Sequence, residues 1–186
     1  MFERFTVSAR NVVRGAAEYA ERGDRATVGP EELLLALMDL TGTPGARALA
    51  ELGVIERRAS VESALERARR RGGVSEADAE ALAGMGIDVE EIVARVERVH
   101  GVGALAAREP VRRRFFSHRP FTKEAKSVVE RSLRVALGRG DKHIGDEHLL
   151  LALVTAPGPV AVALADHGAT HADVVRVLDE RGEKAG

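Results

Sequence analysis

Few residues of this chain have the types and spacing that covalent catalysis requires. There is no cysteine, which excludes disulfides, thiol nucleophiles and cysteine-ligated zinc. Ser8, Ser60, Ser75 and Ser132 have no neighbouring His/Asp pattern, and no Gly-x-Ser-x-Gly nucleophile elbow exists. The sequence also has no Gly-x-x-x-x-Gly-Lys-Ser/Thr phosphate loop, the usual means of binding and hydrolysing ATP. We therefore expect no catalytic residues, no cofactor and no enzyme.

The segment around His143, Glu147 and His148 is the candidate with metal-ligand chemistry. The two histidines are five residues apart, whereas two ligands on one helix face need a spacing of four. We expect no metal site here. Instead, His148 is expected to pack or to hydrogen-bond between helices.

The chain contains two copies of one sequence pattern. Phe-Thr-x-x-Ala-x-x-Val-Val begins at Phe5 and again at Phe121, and Leu-Leu-Leu-Ala-Leu begins at Leu33 and again at Leu149. These runs pair at one constant offset, with about 13 of 33 positions identical. Such a match predicts two structurally equivalent units.

Each copy has the periodicity of short amphipathic helices. Thr6 and Thr122 are natural N-caps for the first helix of each copy. In the first copy an apolar stripe follows Thr6: Ala9, Val12, Val13, Ala16 and Ala20. A second helix is expected from Glu31 to about Leu40, with Pro30 in its first turn. Two further helices are expected over Ala46–Leu52 and Glu56–Arg70.

The segment between the copies resembles the back half of a third copy. Its run from Ala79 to Ile87 matches the run from Ala46 to Val54, and Asp88 suits the cap of a helix that ends at His100. The sequence predicts an all-α, pseudo-twofold protein with four to five helices per repeat and extra helices in this insert. Repeat 1 is expected at 1–71, the insert at 72–116 and repeat 2 at 117–186.

Composition and charge fit a globular helical protein. The 186 residues are 45% hydrophobic and 31% charged, with net charge −1, so no overall field attracts nucleic acid or anionic lipid. The start has no apolar signal-peptide core and no run approaches membrane-span length, so we expect a cytoplasmic protein. The arginine runs 69–71 and 112–114 are expected to be solvated helix ends and linker. The Arg, Ala, Gly and Val bias suggests a high-GC genome.

The two copies resemble the Clp N-terminal repeat, in particular the N-terminal domain of ClpC-type unfoldases. The resemblance lies in the Met-Phe-Glu-Arg-Phe-Thr start at Met1, the Pro-Phe-Thr-Lys-Glu-Ala-Lys run from Pro120, and the Ile-Gly-Asp-Glu-His run from Ile144. It covers roughly residues 1–70 and 117–180. It implies a substrate-receiving module, and the long insert and complete-looking end favour a stand-alone protein over an excised unfoldase domain.

The resemblance implies a ligand, protein segments phosphorylated on arginine, held once per repeat. Each pocket would use the start of a first helix with its threonine, Thr6 or Thr122, and the glutamate opening a second helix, Glu31 or Glu147. A helix start with a hydroxyl suits the phosphoryl group, and a carboxylate suits the guanidinium. The alternative is that these four residues only cap and favour their helices.

Both copies depart from the family pattern at the threonine of the family's Gly-Thr-Glu-His run, which is replaced by proline in the first copy and by aspartate in the second. Pro30 removes an N–H and a hydroxyl, and Asp146 adds an anion close to the second pocket. Both are expected to weaken phosphate binding, and Asp146→Thr is expected to strengthen it.

The phenylalanines cluster at the first helices, so an exposed subset would form an apolar docking face, with Phe2, Arg10 and Phe121 as candidates. The resemblance implies protein substrates, adaptors, a Clp unfoldase or protease, and cyclic-peptide antibiotics, which target actinobacterial family members, as partners. The alternative of another class is a helical DNA-binding regulator, which needs a basic recognition helix. Glu31 and Glu32 open the best candidate helix and argue against it.

Because the sequence lacks a phosphate loop and a nucleophile–base pattern, the purified protein is expected to hydrolyse neither ATP nor peptides. Phosphate release and cleavage of a fluorogenic peptide measure this. Turnover that disappears when a residue of this chain is mutated would contradict the expectation.

Overall fold

The computed structural model describes residues 2–72, 74, 76–105 and 119–183, and within these residues the protein is all-helical. A 3-10 turn at Phe2–Arg4 precedes ten α-helices: α1 Val7–Arg22, α2 Pro30–Met38, α3 Pro44–Glu51, α4 Arg58–Arg70, α5 Glu76–Gly84, α6 Val89–His100, α7 Lys123–Arg139, α8 Asp146–Thr155, α9 Pro159–Asp166 and α10 His171–Glu183. The all-α prediction is confirmed. Each repeat has four helices, α1–α4 and α7–α10, and the insert has α5 and α6.

The first helix of each repeat begins at its predicted threonine cap. The side-chain oxygen of Thr6 accepts a hydrogen bond from the Ala9 N–H at 3.2 Å, and that of Thr122 accepts one from the Ala125 N–H at 3.1 Å. The predicted stripe of α1 is buried, apart from Val13, which is half-buried against the core. The amphipathic pattern therefore placed the inner face of this helix correctly.

The second helices, α2 and α8, lie at the centre of the fold. Their leucines are excluded from solvent: Leu33, Leu34, Leu37, Leu149, Leu150, Leu151 and Leu153. Pro30 occupies the first turn of α2 as predicted, because that position needs no N–H donor. α2 ends at Met38, two residues before the predicted end.

The two repeats are joined by a reciprocal exchange of backbone hydrogen bonds. In each direction, the residues that precede the first helix of one repeat pair with the residue that lies just before the second helix of the other. The four bonds are Thr6 N–H to Ile144 O (2.9 Å), Ile144 N–H to Arg4 O (2.8 Å), Thr122 N–H to Val28 O (2.9 Å) and Val28 N–H to Pro120 O (2.9 Å). Because each bond has a counterpart at the equivalent position, the arrangement is that of a pseudo-twofold.

Asp146, in the first turn of α8, caps a helix of the other repeat. Its Oδ2 accepts hydrogen bonds from the Thr43 hydroxyl (2.6 Å) and from the N–H groups of Gly45 (2.9 Å) and Ala46 (3.3 Å), at the start of α3. The residue has no exposed surface. A Cβ at Gly45 would lie 2.7 Å from this carboxylate oxygen, so a side chain at position 45 would displace it.

A second polar contact joins the repeats where α4 packs against α9. The buried His167 ring contacts the Ala163 carbonyl through Nδ1 (2.7 Å) and the Ser60 hydroxyl through Nε2 (2.9 Å). Because the carbonyl only accepts, Nδ1 carries the proton and Nε2 accepts from Ser60. Arg57 donates to the backbone oxygen of the same histidine at 2.8 Å.

The insert contains the same turn as the back halves of the two repeats. In all three cases a glycine with positive φ donates its N–H to the carbonyl oxygen three residues earlier, with an N···O distance of 2.9 Å: Gly53 to Ala50, Gly86 to Ala83 and Gly168 to Ala165. Asp88 caps α6 as predicted, accepting from the Glu91 N–H at 3.0 Å. These features support the half-repeat interpretation, while the domain boundaries stay a prediction.

The arginine run at the end of α4 is structural, which corrects the expectation of a solvated helix end. Arg70 pairs with Glu97 at 2.7 Å and Arg71 donates to Glu90 at 2.7 Å, so both bind α6 of the insert. Arg69 contacts Glu31 of α2. The run 112–114 lies outside the described residues. Within the described part of the chain, no single helix is long and apolar enough to cross a membrane; α8 and α9 together would qualify only across a 97° bend.

Replacing Asp146 by alanine is expected to destabilise the protein by about 2–3 kcal/mol, because α3 loses its cap and buried N–H groups lose their acceptor. Urea unfolding followed by far-UV circular dichroism measures the loss. Asp88→Ala is the matched control, because Asp88 caps a helix at an exposed position. The expected loss there is about 1 kcal/mol at most. Equal losses would contradict an inter-repeat role for Asp146.

Candidate functional site

The structure assembles the predicted threonine and glutamate residues across the two repeats. Thr122 donates its N–H to Val28, two residues before α2, so the start of α7 lies beside the start of α2 and Glu31. By the reciprocal bond from Thr6 to Ile144, the start of α1 lies beside the start of α8 and Glu147. Each candidate pocket thus combines a threonine of one repeat with a glutamate of the other, which corrects the expectation of one pocket within each repeat.

A cavity of about 340 Å³ marks the first of these two places. We call it the α2–α7 pocket; it lies among the starts of α2, α7 and α9 and is lined by Pro30, Glu31, Lys123, Glu124, Ser127, Ala156, Pro157, Gly158, Pro159 and Val160. Helix starts carry partial positive charge, and Lys123 adds a full one. Pro30 and Pro159 contribute no N–H donor and make part of the wall apolar. The pocket therefore combines an apolar wall with helix starts and Lys123, which attract negative charge, and with the carboxylates of Glu31 and Glu124, which repel it.

The Glu31 carboxylate beside this pocket is held by two arginines of its own repeat. Its side chain is 14% exposed, and Oε2 lies 3.1 Å from Nη1 of Arg25. Arg69 forms a close ion pair with the same carboxylate and also donates from Nε to Oε1 at 3.3 Å. The negative charge of Glu31 is therefore compensated within the protein.

The equivalent Glu147 carboxylate stands in the opposite electrostatic setting. Its side chain is 22% exposed, and no lysine or arginine among the described residues pairs with it. Burial raises the pKa of the Glu147 carboxyl above its ordinary value, opposed by its own backbone N–H and by His148. The charges of Asp146 and Asp141 raise the pKa further. Glu147 is thus a half-buried, uncompensated acid.

His148 is buried, as expected for a residue that packs between helices, and its hydrogen bonds stay within its own repeat. Nδ1 accepts a hydrogen bond from the Gly145 N–H at 2.9 Å, and Nε2 lies 3.0 Å from Asp141 Oδ2. Since Nδ1 accepts, Nε2 carries the proton and donates to the carboxylate. The ring therefore caps α8. Within the described residues, no group of three acidic or histidine side chains is arranged to hold a metal ion.

Asp146 has a different role from the one that the sequence suggested. Its negative charge acts on Glu147, as expected for an anion close to the second pocket. However, its carboxylate is directed at the start of α3 and is buried there. Asp146→Thr would therefore remove a structural cap, and it is not a clean test of phosphoarginine binding.

Arg25 and Arg69 are the residues of this region that sequence reasoning missed. The sequence did contain a signal for Arg25. When the two repeats are aligned, Arg25 corresponds to Asp141, and its partner Glu32 corresponds to His148. Arg25 lies 3.0 Å from Glu32 Oε1, and Glu32 caps α2 by accepting from the Gly29 N–H at 2.7 Å. The two repeats thus make the same contact with opposite charges. No comparable pattern identified Arg69, because its contact is made across the fold from α4.

The proposed apolar docking face is described only in part. Phe121 is half-buried against the core, and Arg10 is exposed. The side chain of Phe2 and residues 115 and 116 lie outside the described part. The docking face stays a prediction.

Comparison with known proteins gives consistent matches over the whole chain. The family model of the Clp repeat (R) N-terminal domain matches residues 4–99, 74–167 and 120–184. A chloroplastic ATP-dependent Clp protease ATP-binding subunit, the ClpA homolog CD4B of Solanum lycopersicum, is 30% identical over 191 residues, covering 100% of this chain and 16% of the relative. The chloroplastic chaperone protein ClpC2 of Oryza sativa subsp. japonica is 31% identical with the same coverage. The chain spans about a sixth of the length of these curated relatives.

Two solved structures have the same fold. One is the N-terminal domain of the caseinolytic protease associated chaperone ClpD from Arabidopsis thaliana, with a TM-score of 0.56, 18% identity, and coverage of 98% of this chain and 97% of that one. The other comes from preliminary structural investigations of a malarial protein secretion system, with a TM-score of 0.61, 14% identity, and coverage of 97% and 96%. At these identities the likeness concerns the fold.

The two equivalent glutamates are expected to respond oppositely to replacement by glutamine. Glu31→Gln removes the anion that Arg25 and Arg69 share, leaving Arg25 with Glu32 and Arg69 with Glu66, and should destabilise the protein by about 1–2 kcal/mol, between the values for exposed and buried pairs. Glu147→Gln removes an uncompensated charge and should raise the melting temperature at pH 7. The pKa of Glu147 is raised in the folded state, so the native protein regains stability as the pH falls and this carboxyl is protonated. The gain in stability from Glu147→Gln should therefore vanish by about pH 4. Thermal unfolding of both variants at pH 7 and pH 4 measures this, and destabilisation of equal size by both at pH 7 would contradict it.

Proposed function

We propose, from the premise that this chain belongs to the Clp repeat N-terminal domain family, that it is a non-catalytic module that binds segments of other proteins. The family membership rests on the model match across the chain and on the shared fold. The observation that carries the proposal is the pair of carboxylates, Glu31 and Glu147, each placed beside the start of a first helix of the opposite repeat. Such a junction presents an acceptor for a cationic group next to donors for an anionic one.

The ligand class that fits this junction is an extended protein segment that bears an arginine, including arginine carrying a phosphoryl group. The guanidinium would donate to the carboxylate, and the phosphoryl group would lie at the helix start beside Thr6 or Thr122. Both threonine hydroxyls already accept from their own helices. They therefore order the helix start, while N–H groups of the first turn supply the donors. At α7 the carboxylate of Glu124 already accepts from its own N–H and from the Thr122 hydroxyl, so a phosphoryl group would have to displace it there. Pro30 leaves the α2–α7 pocket with fewer such donors, so we expect weak phosphate binding there.

The partners we propose are substrate proteins and adaptors, with a Clp unfoldase or protease as the machine that receives them. We further propose a cytoplasmic location, and cyclic-peptide antibiotics as ligands of the face near Arg10. The same site would serve an independent protein or the N-terminal domain of a ClpC ATPase, because the residues that we assign to it all lie in the two repeats. Domain limits at 71 and 116 belong to this proposal.

The structure gives no support to the DNA-binding alternative. The candidate recognition helix α2 has Glu31 and Glu32 in its first turn, and its leucines are buried in the core. A helix that enters the major groove needs an exposed and basic face.

Glu147→Ala is expected to weaken binding of an arginine-containing peptide about tenfold or more, because a charge-assisted hydrogen bond contributes about 1.5–3 kcal/mol. Calorimetry with end-capped peptides that contain one arginine or one phosphoarginine measures the affinity. Glu180→Ala, at an exposed position of α10, is the control and should bind as the native protein does. If the native protein binds neither peptide, or if Glu147→Ala binds both unchanged, the proposed function is wrong.

A further inference from the structure

One carboxylate occurs at the same place in both repeats, yet its neighbours differ completely. Around Glu31 the charged partners are Arg25 and Arg69. Around Glu147 the acidic residues Asp141 and Asp146 lie nearby, and among the described residues His148 is the basic group in contact. The backbone arrangement that places the two glutamates is the same, so the side chains alone create this difference.

The contacts at Glu31 use most of the capacity of its carboxylate. An ionised carboxylate accepts about four hydrogen bonds. Oε2 is in contact with Arg25 and Arg69, and Oε1 accepts from Nε of Arg69. With three of these positions in use, a further guanidinium finds no free pair of accepting positions, although Glu31 itself lines the α2–α7 pocket.

The contacts at Glu147 leave more of that capacity open. Its carboxylate accepts from its own backbone N–H, and the Nδ1 side of His148, which already accepts from the Gly145 N–H, lies 3.2 Å from Oε1; no lysine or arginine among the described residues contacts it. A cation placed against Glu147 would also reduce its repulsion with Asp146 and Asp141. Electrostatics therefore favour an incoming guanidinium at Glu147 and disfavour one at Glu31, where two are already bound.

We infer that Arg25 and Arg69 act as internal ligands that close Glu31, so that an arginine side chain of a bound protein is recognised at Glu147 alone. This inference rests on the proposed function and makes it more specific. The two family-type sites are then no longer equivalent. The Glu147 site recognises a cation, while the α2–α7 pocket offers Lys123, three helix starts and an apolar wall to other parts of the bound segment.

The inference also identifies Arg25 and Arg69 as residues that determine specificity. They come from different elements: Arg25 lies in the loop before α2, and Arg69 lies in the last turn of α4. Asp141, the residue equivalent to Arg25 in repeat 2, cannot play this part, because its charge has the same sign as that of Glu147. The choice of Arg or Asp at this single position thus accompanies the closed or open state of the neighbouring glutamate.

The test is a site-resolved NMR titration of the full chain with an end-capped arginine amide. In the native protein, amide shifts are expected at the start of α8, at Glu147 and His148, and not at the start of α2. Arg25→Gln with Arg69→Gln is expected to add a second set of shifts at Glu31 and Glu32, with affinity there about tenfold or more above the native value. Adding Glu147→Gln should then remove the first set and keep the second.

Two controls separate opening of the site from loss of the fold. Arg95→Gln removes an exposed arginine that pairs with Glu91 of its own helix, and it should leave the native pattern unchanged. Arg25→Gln alone keeps the Arg69 contacts and should open Glu31 in part, so the inference stays testable if the double variant does not fold.

The outcomes distinguish the inference from the proposed function. Equal binding at both glutamates of the native protein, or no gain at Glu31 in a folded Arg25/Arg69 variant, would overturn the inference and leave the proposed function standing. Binding at neither glutamate in any variant would overturn both.

Discussion

The reciprocal backbone exchange between the repeats is the constraint on which the rest of the structure depends. Each repeat lends the residues before its first helix to the loop before the second helix of the other. Because Val28 and Ile144 are buried and donate their N–H groups to the other repeat, neither repeat satisfies its own backbone alone. The exchange therefore fixes the relation of the repeats and, with it, which threonine lies beside which glutamate. The candidate sites are properties of the pair of repeats.

The pseudo-twofold is kept by the backbone and broken by the side chains. Asp146 reaches across to cap α3, whereas its counterpart Pro30 cannot cap α9. The Arg25–Glu32 contact of repeat 1 becomes the Asp141–His148 contact of repeat 2. The second replacement keeps a polar contact, the first leaves α9 without a side-chain cap, and both change the charge near a glutamate. These differences lie around the two second-helix starts, and this is where a difference in ligand preference would arise.

Local pattern was enough to predict the helices, their caps and the central position of the second helices. Thr6, Thr122 and Asp88 cap as expected because capping depends on residues three positions apart. The pattern could not show that Thr122 meets Glu31 of the other repeat, because such a pairing depends on the docking of whole units. Contacts made across the fold, such as that of Arg69 with Glu31, leave no periodic trace in the sequence either. The capping role of the buried His148 was not predicted, because its cap uses an imidazole where a carboxylate or amide is the usual acceptor.

The energetic contrast between the two glutamates bears on why the uncompensated one persists. Two other buried carboxylates serve as caps: Glu32 caps α2, and the Oδ2 of Asp146 accepts from α3, while the Oδ1 of Asp146 has no hydrogen-bond partner. Glu147 is half-buried among acidic neighbours without a lysine or arginine partner in the described residues, and burial and these neighbours raise its pKa. Its carboxylate accepts from its own backbone N–H, and a neutral side chain would relieve the repulsion without loss of an ion pair to an arginine. A half-buried acid with only these local contacts is best explained by an interaction outside the chain. By the same reasoning Glu31, which is paired on both sides, needs no external ligand to account for its place.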